Sequence, residues 1–101
     1  MAQIKPFFTR INFMRPMDGQ NLTVGDFPFT VKGTATPVAP ATTVFIGGWD
    51  LDDGLAFLMA LLGGNFSFTI DDPGPGSHLI TVFVFDDTGD MSESSVSFVR
   101  V

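Results

Sequence analysis

Residues 76–101, GSHLITVFVFDDTGDMSESSVSFVRV, read as a strand, a tight acidic turn and a returning strand. Ile80, Val82 and Val84 alternate with Leu79, Thr81, Phe83 and Phe85, which is the period of two that a pleated strand requires. Asp86-Asp87-Thr88-Gly89-Asp90 supplies the turn: Gly89 can take a positive φ, and Asp side chains bond nearby backbone N–H groups. Asp86 follows Val84 on the inward face, so its carboxylate is expected to tie down its own turn. On the return strand Val96 and Phe98 take one face, while Ser95, Ser97, Val99 and Val101 take the other.

Upstream, the same alternation recurs. Residues 7–14, FFTRINFM, form a first strand with Phe7, Ile11 and Phe13 inward, followed by a turn at Pro16-Met17-Asp18-Gly19. In 27–35, FPFTVKGTA, residues Phe27, Phe29, Val31, Gly33 and Ala35 oppose Thr30, Lys32 and Thr34. After a Pro37/Pro40 loop, residues 42–48, TTVFIGG, form a third strand with Val44 and Ile46 opposite Thr43 and Phe45. An acidic turn, Asp50-Leu51-Asp52-Asp53-Gly54, leads into LAFLMALL at 55–62. Its residues are helix formers, yet eight residues between glycines suit a strand, with both faces apolar. Phe66-Ser67-Phe68-Thr69-Ile70 alternates again, and DDPGPG at 71–76 excludes both helix and ladder. Seven short strands separated by turn signals predict an antiparallel all-β sandwich.

The chain of 101 residues has the length of one domain, with its first six residues expected to be flexible. It carries 12 Phe and no Cys, so disulfides and thiolate metal sites are excluded. Its net charge is −6, and the five basic residues are scattered, which argues against a nucleic-acid partner. No apolar run reaches membrane-spanning length, and MAQIKPFF lacks the apolar centre of a signal peptide.

Three stretches, FPFTVKGTATP (27–37), GGNFSFTIDDPGPGSHLITVFVFDDTG (63–89) and SSVSFVRV (94–101), resemble the bacterial immunoglobulin-like (Big-type) domain superfamily. The resemblance covers residues 26–101. It implies an immunoglobulin-like Greek-key sandwich with strands two and five in one sheet and three, six and seven in the other. It also implies a non-catalytic spacer, adhesion or carbohydrate-associated module of a surface, secreted or appendage protein. Fold alone does not choose among these.

Chemistry-bearing candidates are sparse. Asp50, Asp52 and Asp53 sit in one turn, and loop carboxylates are what Ca²⁺ takes, although the twelve-residue spacing and terminal Glu of a calcium loop are missing. The competing reading is that they are turn formers and solubilisers. His78, in phase with Ile80, reads as a partly buried strand-end histidine. No acid–base pair across a cleft can be argued, so no enzyme is expected. A carbohydrate partner would need an exposed aromatic platform, and Trp49 is the single Trp in a chain without Tyr. With Ile80, Val82 and Val84 inward, Leu79 and the rings of Phe83 and Phe85 face out, with Phe45 and Val99 on the same face. That surplus predicts docking on protein, either a second copy or a neighbouring domain. Opposite strand phase, or segment 55–62 folding across the face, would remove it.

Overall fold

The computed structural model describes residues 9–101; the expected flexible start and the inward Phe7 lie outside the described residues. Eight strands form two sheets. β1 (Arg10–Arg15), β3 (Phe29–Thr36) and β6 (Asn65–Ile70) make a three-stranded sheet in the order β1-β3-β6. β2 (Gln20–Leu22), β4 (Val44–Leu51), β5 (Phe57–Met59), β7 (Gly76–Asp86) and β8 (Met91–Arg100) make the other, in the order β2-β8-β7-β4-β5. A single 3₁₀ turn, Val24–Asp26, links β2 to β3. Among the described residues no helix is long and apolar enough to cross a membrane.

Alternation decides which side chains enter the core. In β7, Ile80, Val82 and Val84 are fully buried, and Val31, Phe29, Phe66, Ile70, Val96 and Phe98 meet them from the other strands. The β7 strand phase expected from the sequence is therefore the one found; of 55–62 only Phe57–Met59 forms a strand, at the edge of the sheet instead of folding over it. Gly33, buried in β3, is required by close approach: a Cβ there would stand 2.3 Å from the backbone oxygen of Asn12 and 2.2 Å from the Phe66 ring. Neither neighbour leaves room for it.

Three expectations need correction. Among the described residues there are eight strands, one more than the seven read from the sequence, because β2 pairs in parallel with the end of β8 through Gln20↔Phe98, Asn21↔Val99 and Leu22↔Arg100. Three residues flanked by turns carry no readable period. The third strand runs on to Leu51, which puts Asp50 inside β4 and narrows the turn to Asp52 and Asp53, both with positive φ. Finally, Val44 and Ile46 do not share a face. Val44 pairs with Asp86 but Ile46 pairs with Phe85, so Phe45 is the extra residue of a bulge and Ile46 turns outward, 40% exposed.

The pairings also define two ends. Arg10 lies beside Thr36, near the Asp86–Met91 turn; Leu22 lies beside Arg100, which pairs with Gly76. Thr9 and Val101 thus stand at opposite ends of the sandwich. At the second end, Gly19 donates its N–H to the Ser97 carbonyl, Val101 donates to the Leu22 carbonyl, and the Asp18 carboxylate accepts from Ser97 N–H and Oγ.

Candidate interaction surface

The outer face of the five-stranded sheet carries two adjacent apolar rows. Register places Leu58, Gly48 and Phe83 side by side, ending at Glu93, and Ile46, Phe85 and Met91 in the next row. Phe45, lifted by its bulge, borders the second row and is 61% exposed; Leu58 is 83% exposed and Met91 48%. The Phe83 and Phe85 rings meet edge to face at 6.5 Å. Phe83 lies over Gly48, where a Cβ would come within 2.4 Å of its Cζ, so this glycine is what lets the ring lie flat on the sheet. On one side the patch stops at a polar row, Asp50, Thr81 and Ser95, in which the two hydroxyls hydrogen-bond at 2.8 Å.

This geometry divides the residues expected at the surface. Phe45, Phe83 and Phe85 come together. Leu79 lies beyond the polar row, four residues and about 13 Å along the strand from Phe83, and Val99 lies farther still, paired with Ser77. Both are outward-facing, but they are not part of the patch. Ile46, Leu58 and Met91 join it unforeseen. The bulge hid Ile46, the two-sided run 55–62 gave Leu58 no legible phase, and Met91 directly follows the turn.

At the far end of the same sheet His78 is clamped. Its Nδ1 lies 2.6 Å from Asp52 Oδ2, its Nε2 lies 2.8 Å from the Gly74 carbonyl, and its ring stacks on Phe98 at 5.3 Å. Both nitrogens face acceptors, and only the doubly protonated ring donates to both. Burial opposes that charge, but the Asp52 hydrogen bond, the Gly74 carbonyl and the attraction of Asp52 and Asp72 outweigh it, raising the pKa above its ordinary 6.5. Burial likewise acts against charged Asp52, yet the bonds from His78 and the Leu79 N–H hold its pKa below the usual 3.8. Asp72 is paired with Arg100 at 2.7 Å. A histidine whose pKa is raised on folding contributes stability that is full below about pH 6.5 and is lost as pH climbs through the folded value. The melting temperature is therefore expected to fall from pH 6 to pH 8.5, and His78→Gln to flatten that slope. An identical slope in the variant would contradict the clamp.

The other candidates disperse. Asp50 points outward from β4, the Asp52 carboxylate is engaged by His78 and Leu79, and Asp53 is exposed at the turn. Among the described residues no three acidic or histidine side chains gather closely enough to hold a metal ion. Trp49 is not a surface platform. It faces inward, and its ring is covered on one side by Phe57 at 4.8 Å and on the other by Phe68 at 4.4 Å. Two open depressions, of about 460 and 420 Å³, contain neither a carboxylate nor a histidine in their walls.

No protein-family model matches the chain, and no curated protein sequence matches it significantly. Solved structures do share its architecture. An endo-beta-1,4-mannanase from Thermotoga petrophila superposes over 96% of this chain at a TM-score of 0.73 and 18% identity, and the chain spans 20% of that protein's length. The fibronectin(III)-like modules of CbhA from Clostridium thermocellum match 90% of this chain and 96% of theirs, with TM-score 0.62 and 18% identity. The PKD1 domain of the Vibrio cholerae metalloprotease PrtV matches 91% of this chain and 93% of its own, with TM-score 0.56 and 18% identity.

Proposed function

From this immunoglobulin-like β-sandwich we propose a non-catalytic interaction module, of the Big-type kind that the sequence resembles, working outside the cell as part of a larger protein. Its contact is with another protein, through the apolar rows on the outer face of the five-stranded sheet. One observation carries the reading: Phe45, Ile46, Leu58, Phe83, Phe85 and Met91 share one contiguous face. Their combined exposed area is on the order of 500 Å², the size at which apolar patches on single chains mark interaction sites. Aromatic and Met anchors inside a polar rim, here Glu93, Asp50, Thr81 and Ser95, are the usual composition of such sites. The neighbours agree in kind, since two are by name modules or domains of longer proteins and a third is an enzyme of which this fold is a fifth. A carbohydrate-binding role would need a bare aromatic plate, and Trp49 has both ring faces covered.

The test is contact in the protein as its own cell makes it. A photoreactive phenylalanine analogue at position 45 or 91 is expected to cross-link to protein outside residues 9–101. The same group at Lys32, exposed on the opposite sheet, is the control and is expected to give several-fold less. Equal yields at all three positions would overturn the reading.

A further inference from the structure

The edge of the five-stranded sheet carries a second, separate contact. Among the described residues β5 is hydrogen-bonded to β4 on one side only, so its other side is an open edge of backbone donors and acceptors. Natural edges are blunted by charge, by brevity or by polar side chains. Here β1 carries Arg10 and Arg15, β2 has three residues, and β6 exposes Asn65, Ser67 and Thr69. β5 is as short as β2, but it carries no charged or polar side chain. Leu58 is 83% exposed on one face and Phe57 52% on the other, and Leu55 and Leu62 beside it are 83% and 77% exposed. Residues 54–64 contain no charged side chain, in a chain whose net charge is −6.

We infer that β5 pairs with the β5 of a second copy, antiparallel about a two-fold axis through Leu58, joining two five-stranded sheets into one. The occupant follows from charge and register. An acidic partner of net charge −6 can approach without opposing carboxylates only where neither surface carries them. In an antiparallel pair with the axis normal to the sheet, opposite residues share a face, so the numbers of each pair must sum to an even total. The centre that overlaps all of Phe57–Met59 is Leu58, with Phe57 opposite Met59 and Ala56 opposite Ala60. Residues 56–60 hold no carboxylate, and Asp52 and Asp53 stand outside the ladder in their turn, so no carboxylate meets another along the paired segment. On the outer face the row Phe83, Gly48, Leu58 runs on into Leu58, Gly48, Phe83 of the second copy. The contact is isologous, which closes the pair and leaves no template for a fibre.

The inference concerns the edge instead of the face, and shares with the docking reading only Leu58. Light-scattering molar mass over rising concentration is expected to pass from 10.9 kDa towards twice that value. Leu58→Lys and Leu58→Glu, at a site exposed enough to keep the fold, each place like charges across the axis and are expected to weaken association at least ~10-fold. Mixing the two variants in equal amounts sets Lys against Glu and is expected to restore the dimer. Phe45→Ser, off the edge, is expected to dimerise as the parent does. A parent that stays at monomer mass up to ~1 mM, a mixture that stays monomeric, or a dimer abolished by Phe45→Ser would each overturn the edge pairing. Loss of cross-links from position 45 with the charge-swap rescue intact would remove the face reading alone.

Discussion

Replacing Phe98 with alanine is expected to cost about 4 kcal/mol of folding stability, the usual range for deleting a fully buried ring. Phe98 has no exposed surface, packs at 6.2 Å against Phe27 and carries the His78 ring at 5.3 Å. It therefore joins the C-terminal end of β8 to the segment that enters β3 and to the start of β7. The loss combines transfer of the ring to water with a void that two sheets held by their hydrogen-bond ladders cannot close. For a domain of this size each kcal/mol moves the midpoint by roughly 4–8 °C, so the melting temperature should fall by about 20 °C. Phe98→Leu keeps most of the volume and is expected to cost under ~1.5 kcal/mol. A fall below ~5 °C in the alanine variant would contradict a Phe98-centred core.

The second large effect lies in the turn. Asp86 is 1% exposed at the end of β7, and one of its oxygens accepts from Thr88 N–H at 2.9 Å, Thr88 Oγ1 at 2.5 Å and Asp90 N–H at 3.2 Å. Asp86→Ala removes the acceptor and leaves those donors to find water at a half-closed site. Hydrogen bonds to charged acceptors contribute about 1.5–3 kcal/mol each, and they are not additive within one group. A loss of about 3 kcal/mol is expected, with Asp86→Asn losing less because its carbonyl keeps part of the set. At a slope of about 1–3 kcal/mol per M, the urea midpoint should drop by 1 M or more. An unchanged midpoint would mean that the turn holds itself without the carboxylate.

Much of this architecture was legible because the decisive strands are half-buried and keep strict phase. In β7 every second residue is apolar and small enough to interdigitate, while the opposite face holds Leu79, Thr81, Phe83 and Phe85. A one-residue slip would have exposed the valines, so the pattern admitted a single orientation. Asp86 was legible for the same reason, since a carboxylate in the inward phase must find donors locally. What escaped was set by tertiary contact. The bulge at Phe45 follows from how Val44 and Ile46 meet β7, and nothing local announces it. Trp49 looked available as a lone indole, but its neighbours Phe57 and Phe68 come from the adjacent edge strand and the opposite sheet. β2 is too short to carry a period and exists through its pairing with β8. The grouping of Leu79 and Val99 with Phe83 and Phe85 was right about side and wrong about distance, because phase gives orientation and only register gives position.

The parallel pairing of β2 with β8 has a mechanical consequence. Because Thr9 and Val101 leave the sandwich at opposite ends, a pull applied between them would load the β1–β3 ladder and, behind it, drag β2 and β8 past one another along their lengths. The three residue pairs, the Gly19 and Val101 bridges and the Asp18 carboxylate would then be loaded together instead of unzipping singly.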